Sequence, residues 1–226
     1  YKLTEVEPVT LKEEIKLEAP HVLQYPELPR GCEVTSLAML LQYNGYEADK
    51  NKLAKEVKRD PTPYSVKNGK IYFGNPYDGF VGDMYSLTTP GLGVYHGPLV
   101  ELAEKYVTDE HKVVDLTGED FEEILVSLNK KQPVLVIINA TYNKLPDSAF
   151  QTWHTPSGPV DITMREHSVL ITGYDKDYIY FNDPLDRQSK ASIDGFIEAW
   201  EQMGKQAITI EKQEKVPENL LKIIEL

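Results

Sequence analysis

The run PVLVIINA at residues 133–140 carries no polar side chain before Asn139. A strand with one solvated face alternates apolar and polar positions, so an unbroken apolar run of this length suits a central strand. The strand pattern continues downstream. EHSVLITGYD and DYIYFNDP predict an antiparallel pair turning around Gly173 to Lys176, and QAITIE predicts a last strand. Between them SIDGFIEAWEQMG predicts a helix with Ser192 as N-cap and Phe196, Ile197 and Trp200 facing inward.

Upstream the period is helical. Val34, Leu37, Ala38 and Leu41 fall at i, i+3, i+4 and i+7, the spacing of one helix face, and Asn44-Gly45 supplies the stop. A short second helix is expected from Asp49, as N-cap, through Leu53 and Val57. HGPLVELAEKY, with Pro98 in its first turn, and DFEEILVSLNKK, with Phe121, Ile124, Leu125 and Leu128 on one face, predict two more. A short alternation at Ile15 and Leu17 reads as an edge strand running toward Gln24, and about residues 60–97 show no periodicity. Helices first and a mostly antiparallel sheet second is the order of an α+β layer arrangement.

With 226 residues, 41% of them hydrophobic, the chain suits one domain with a sizeable core, spanning 1–226 with an N-terminal extension over 1–14 and a tail over 211–226. Thirty-six acidic against 24 basic side chains give a net charge of −12, which repels nucleic acid and anionic membrane surfaces. No apolar run reaches the roughly 20 residues of a membrane span. The chain opens on Tyr1 without a signal-like segment, so a leader removed earlier, and hence export, is an expectation.

The single cysteine, Cys32, excludes an internal disulfide and any CxxC site. It stands where LPRG gives way to the first helical pattern. Unpaired N–H groups at a helix N-terminus favour a thiolate, the nucleophilic form, while a buried cysteine is also an ordinary small apolar residue. His167 opens one strand of the predicted pair and Asn182-Asp183 closes the other, so pairing would bring a carboxylate to orient the imidazole, if both residues share a face. Gln24, upstream of Cys32, has an amide that could join the Cys32 N–H as donors to an oxyanion.

Taken in order, Gln24, PELPRGCEVTSLAMLLQYNG, GFVGDMYS, GLGVYHGPL, PVLVIINA, HSVLITGYD and IYFNDP resemble the C39-like peptidase family, a branch of the papain-like cysteine peptidases, over roughly residues 15–210. The resemblance implies a papain-like α+β fold, with a helical half packed on a mostly antiparallel sheet. It implies Cys32 as nucleophile, His167 as general base and acid, Asp183 as orienting carboxylate and Gln24 as oxyanion donor. Asn182 competes for the third role, because papain-like relatives use Asn there, and YPELPRG makes the gap from Gln24 to Cys32 longer than in papain-type enzymes.

The expected activity is cleavage of a peptide or amide bond through a thioester, on a peptide or protein substrate that a cell-wall setting would suit, with no cofactor and no metal. Two alternatives stay open: a non-catalytic envelope module that binds a peptide or wall fragment, and a transamidase. The absence of membrane spans and of a GxxxxGK[ST] loop sets aside the leader-peptide cleavage of exporter-fused members, and free-standing relatives imply a secreted or envelope-attached protein. His154 and Asp161 lack the spacing of a metal site, and GLGVYHG is a turn shaping a groove rather than a phosphate loop. Trp200 reads as packing, Trp153 as packing or cleft wall, and residues 72–97 as the substrate-facing wall.

Overall fold

The computed structural model describes residues 10–213, so most of the expected extension and tail lies outside the described residues. The elements, in order, are β1 (Ile15–Lys16), α1 (Cys32–Tyr43), α2 (Lys50–Glu56), β2 (Arg59–Asp60), β3 (Ser65–Lys67), β4 (Lys70–Tyr72), β5 (Phe80–Val81), α3 (His96–Glu104), β6 (His111–Asp115) and α4 (Phe121–Asn129). Then come β7 (Val134–Asn139), β8 (Gln151–Thr155), β9 (Gly158–Ile162), β10 (Glu166–Tyr174), β11 (Tyr178–Asn182), β12 (Lys190–Ser192), α5 (Ile193–Gln202) and β13 (Ala207–Lys212). No helix among the described residues is long and apolar enough to cross a membrane.

The main sheet runs β12-β11-β10-β7-β13-β6 with every neighbour antiparallel, and β1 pairs with the far end of β10. β7 is buried along its whole length, and its alternate side chains explain why. Leu135 and Ile137 enter a core shared with α1, α2 and α3, while Val134, Val136 and Ile138 enter a second core under α4 and α5. Both faces of the sheet are therefore covered, which is what an unbroken apolar strand requires. The expected α+β fold holds, with helices on both faces of the sheet rather than in one half.

Local signals work as read. Asp49 caps α2 by accepting the N–H groups of Asn51 and Lys52 at 2.9 and 3.0 Å, and Ser192 caps α5. α1 ends at Tyr43, after which Gly45 takes a φ of 86°. Other expectations need correction. The predicted edge strand from Ile15 toward Gln24 is only two residues long, because the chain then turns away after Leu17 N–H donates to Thr172 O. The aperiodic stretch 60–97 holds β3, β4 and β5, and β6 was not expected at all. The QTWHTPSG stretch opens the β8-β9 hairpin, and the order β3-β4-β8-β9 forms a second sheet. Strands of two or three residues are too short to display a period.

Because Ile137 is fully buried between β7 and α1, Ile137→Ala should cost about 2–5 kcal/mol, measured as a lower urea midpoint at unchanged slope.

Candidate active site

α1 begins at Cys32, with Gly31 as N-cap. A side chain at 31 would run into Leu28, whose carbonyl accepts the Gly31 N–H at 3.0 Å, so the tight LPRG turn that aims Cys32 needs glycine. The Cys32 N–H, in the first turn, has no partner within the helix. Cys32 is 6% exposed and lines a cleft of about 330 Å³ together with Gln24, Arg30, Glu166, His167 and Arg187.

His167 Nε2 and Asp183 Oδ1 lie 2.7 Å apart, both residues buried. The carboxylate can only accept, so Nε2 carries the hydrogen and Nδ1 is the free nitrogen. Asp183 Oδ1 also accepts the Leu185 N–H at 2.8 Å, and Oδ2 accepts the Tyr142 hydroxyl at 3.1 Å and the Arg187 N–H at 3.2 Å. Asn182 does something else. Its Nδ2 donates to Ala19 O and Pro20 O, pinning the segment that leads to Gln24. Of the two residues left open by the sequence, Asp183 is the one that meets the imidazole.

Gln24 stands in the same cleft, but its amide is engaged: Nε2 donates to Leu28 O at 3.2 Å and Pro29 O at 2.8 Å, and Oε1 is buried without a partner. Its backbone N–H donates to Pro184 O at 2.9 Å, which joins the Gln24 segment to the Asp183 turn. An oxyanion role would require the amide to leave those two carbonyls.

The sulfur differs most from expectation. It donates to Glu33 Oε2 at 3.4 Å rather than to the imidazole. Burial pushes the thiol well above the usual cysteine range, negative charge on the adjacent Glu33–Glu166 carboxyl pair and the bond to Glu33 push the same way, and the Ser168 backbone acts against them. The resting sulfur is a thiol, not the thiolate that the helix N-terminus alone would favour.

Tyr142, Glu33 and Glu166 were missed by the sequence reading. Tyr142 follows the apolar β7 run and takes a left-handed φ of 54°, in a turn held where Asn139 Oδ1 accepts the N–H and hydroxyl of Thr141. Cys32, Glu33 and Glu166 are the one group among the described residues whose ligand-type atoms cluster, within 4.8 Å of one another. His154 stacks on Tyr72 and Asp161 accepts from Thr152, so neither takes part in that cluster. Trp153 proves to be both core and wall, packing with Phe73 and Ile162 while lining a recess beside the cleft. Trp200 is core, its Nε1 donating to Gln206 O.

A model of the Peptidase_C39 like family matches residues 16–208, a span that includes every one of these groups. The chain belongs to that family. A protein of Bacillus subtilis (strain 168), the uncharacterized protein YvpB, is 48% identical over 188 residues, covering 83% of this chain and 71% of its own length. The crystal structure of a candidate C39-like peptidase from Bacillus anthracis superposes with a TM-score of 0.81 at 46% identity, over 90% of this chain and 100% of that one. Xylellain, a cysteine protease from Xylella fastidiosa, aligns at 14% identity and a TM-score of 0.45 over 91% of this chain and 88% of its own, too remote to bear on the site. In this C39-like chain the mixed helix and antiparallel-sheet fold and the family agree.

Burial raises the Asp183 carboxyl, but the hydrogen bond and charge of His167 and the N–H of Leu185 outweigh it and hold the group down at about 2. A carboxyl lower in the folded than in the unfolded chain adds stability above its unfolded value of about 3.9, and loses it as pH falls through the folded value. That contribution is about 2–3 kcal/mol. Stability should therefore decline between about pH 4 and pH 2, and Asp183→Asn should flatten that limb in urea unfolding followed against pH.

Proposed function

We propose that this C39-like chain is a cysteine peptidase in which Cys32 is the nucleophile, His167 the base and acid, and Asp183 the group that orients the imidazole. The observation that carries this reading is the buried His167–Asp183 pair, 2.7 Å long, opening on the same cleft as the only cysteine. Asp183 holds the ring with Nδ1 free, the tautomer a base needs. As substrate enters, the thiol proton passes to Nδ1 and the sulfur attacks the carbonyl carbon. The oxyanion forms beside the unpaired Cys32 N–H, with Gln24 as second donor once its amide turns from Leu28 O and Pro29 O. Collapse expels the amine with the proton from the imidazolium and leaves a thioester. His167 then takes a proton from water, hydroxide adds to the thioester carbonyl, and an acid and the restored thiol are released.

The cleft continues into a recess of about 390 Å³, sharing Arg30, Leu87, Gly91 and Met164 with it and walled by Phe73 and Trp153 of the second sheet. Leu87 and Met164, 58% and 56% exposed, stand where the two join. An extended peptide with a large apolar side chain in that recess, its scissile bond over Cys32, is the substrate class these surfaces favour. Secretion or envelope attachment, with a wall-associated peptide as target, belongs to the same proposal. One observation favours the non-catalytic envelope module instead, namely the neutral, nearly sealed thiol. A transamidase would share the thioester and differ only in the acceptor.

Incubation with a mixed peptide library, read by mass spectrometry, separates these readings. Cleavage with release of free carboxyl ends is expected, falling by about 10²–10⁴ in His167→Ala and to background in Cys32→Ala. Peptides bound but never cut would support the module, and amide-linked products with an added amine the transamidase. Met164→Asp should raise KM for peptides with apolar side chains by about tenfold at little change in kcat.

A further inference from the structure

Glu33 and Glu166 take no part in the steps above, yet they press against the sulfur that performs them. Glu33 is fully buried in the first turn of α1; its Oε1 accepts the Val94 N–H at 2.8 Å and its Oε2 the thiol at 3.4 Å. Glu166 opens β10 and brings a carboxyl oxygen within 4.8 Å of one of Glu33's, while its Oε1 is enclosed without a protein partner. The lid over the pair is Gly93, where any Cβ would collide with Glu33 Oε1 and crowd Glu166 Oε2. Two carboxyls this close, one of them fully buried, repel each other when both are charged, so sharing one hydrogen between them is favoured.

We propose that Glu166 is held as a carboxylic acid donating its hydrogen to Glu33, and that this buried acid pair positions the Cys32 proton and sets the charge beside the sulfur. The inference rests on the reading of Cys32 as nucleophile. Glu33 is the member with donors aimed at it, the Val94 N–H and the thiol, whereas Glu166 Oε1 has none. It is therefore the one that ionises, and burial still pushes it up to about 7. Glu166 is raised further, by burial and by the charge of Glu33. Below about 7 the pair is neutral and the sulfur has no anionic neighbour; above it, one negative charge accepts the thiol hydrogen and opposes thiolate formation.

Other groups facing the pair fit that sign. The Tyr95 phenol, from the segment that carries Gly93, is pushed up by burial and by both carboxyls and stays neutral. His167 follows Glu166 on β10, and Arg30 and Arg187 line the open side of the cleft, where solvent screens them. The pair thus works against the thiolate above about 7, and the nucleophile is released as substrate brings the imidazole to the sulfur.

The test is the rate of Cys32 alkylation by iodoacetamide from pH 5 to 9, with a chelator present, on the whole chain and on two isosteric variants. Glu33→Gln removes the charge and should speed alkylation at pH 8, by about tenfold for each unit the thiol pKa falls. Glu166→Gln replaces a neutral donor by a neutral donor and should follow the unmutated profile. Equal acceleration in both variants would mean that Glu166 is ionised and would overturn the proposal, as would coincidence of all three profiles. Should either variant fail to fold, infrared difference spectra of the unmutated protein decide: a protonated carboxyl is expected to persist at pH 8 and a second to appear on acidification through about 7, and their absence overturns it. Alkylation does not depend on turnover, so a shifted thiol in a chain that cuts no peptide would sink the peptidase reading and leave the acid pair standing.

Discussion

One extra residue in β10 decides which side chain meets His167. Near the turn the pairing of β10 with β11 sets Gly173 against Tyr180 and Tyr174 against Ile179, whereas further along it sets Ile171 against Phe181 and Leu170 against Asn182. Thr172 is the unpaired bulge between the two registers. Side chains alternate across a strand, so a shift of one residue exchanges the faces of everything beyond it. With the bulge, the residue after Asn182 falls opposite Val169 and shares a face with His167. Without it, Asp183 would fall opposite Leu170, on the α1 face, and Asn182 would take its place. The contacts agree with the count: Asn182 reaches Ala19 and Pro20 beside the first core, and Asp183 meets Tyr142 of the second.

The same alternation places Glu166 on the α1 face of β10 and His167 on the other, so the sulfur and the imidazole approach the cleft from opposite sides of one strand. That geometry explains why the thiol of a helix N-terminus is not a thiolate here. The unpaired N–H groups of α1 favour negative charge, but Glu33 occupies the same first turn and accepts from them too. Full burial then works against any second anion, and the thiol, as the weaker acid beside an ionisable carboxyl, keeps its proton.

Much of this was legible from residue patterns, and the rest was not for identifiable reasons. The buried β7 run, the helical spacing from Val34 to Leu41, the Asp49 and Ser192 caps and the β10-β11 pair are all signals carried within one segment. Cys32, His167 and Asp183 could be singled out because thiol, imidazole and carboxylate are few in kind and stand at element ends. The choice between Asn182 and Asp183 depended on a bulge that no residue of β10 announces, since Thr172 is an ordinary strand residue. Glu33 and Glu166 looked like two more acids in a chain with 36 of them, because a buried carboxyl is recognised by its surroundings, not by its neighbours in sequence. The second sheet escaped because its strands β3 and β4 are three residues each and β4 pairs with β8, some eighty positions away.

That second sheet and the segment after it tie the cleft wall to the acid pair. Arg30, two residues before Cys32, donates to Asp83 O and Ser86 O and so fixes the near end of the 82–95 segment to the turn that aims Cys32. Gly91 and Leu92 of that segment line the cleft, Gly93 caps the two carboxyls and Val94 supplies an N–H to Glu33. A single stretch of chain therefore lines the cleft on one side and packs over the carboxyl pair on the other. Displacing it by even the width of a water molecule would hydrate Glu33 and favour its ionised form, which in turn would tighten the hold on the thiol hydrogen. The wall must stay closed over Gly93 for the sulfur to be free of an anionic neighbour, so the packing of residues 91–94 and the chemistry at Cys32 are two consequences of the same contact.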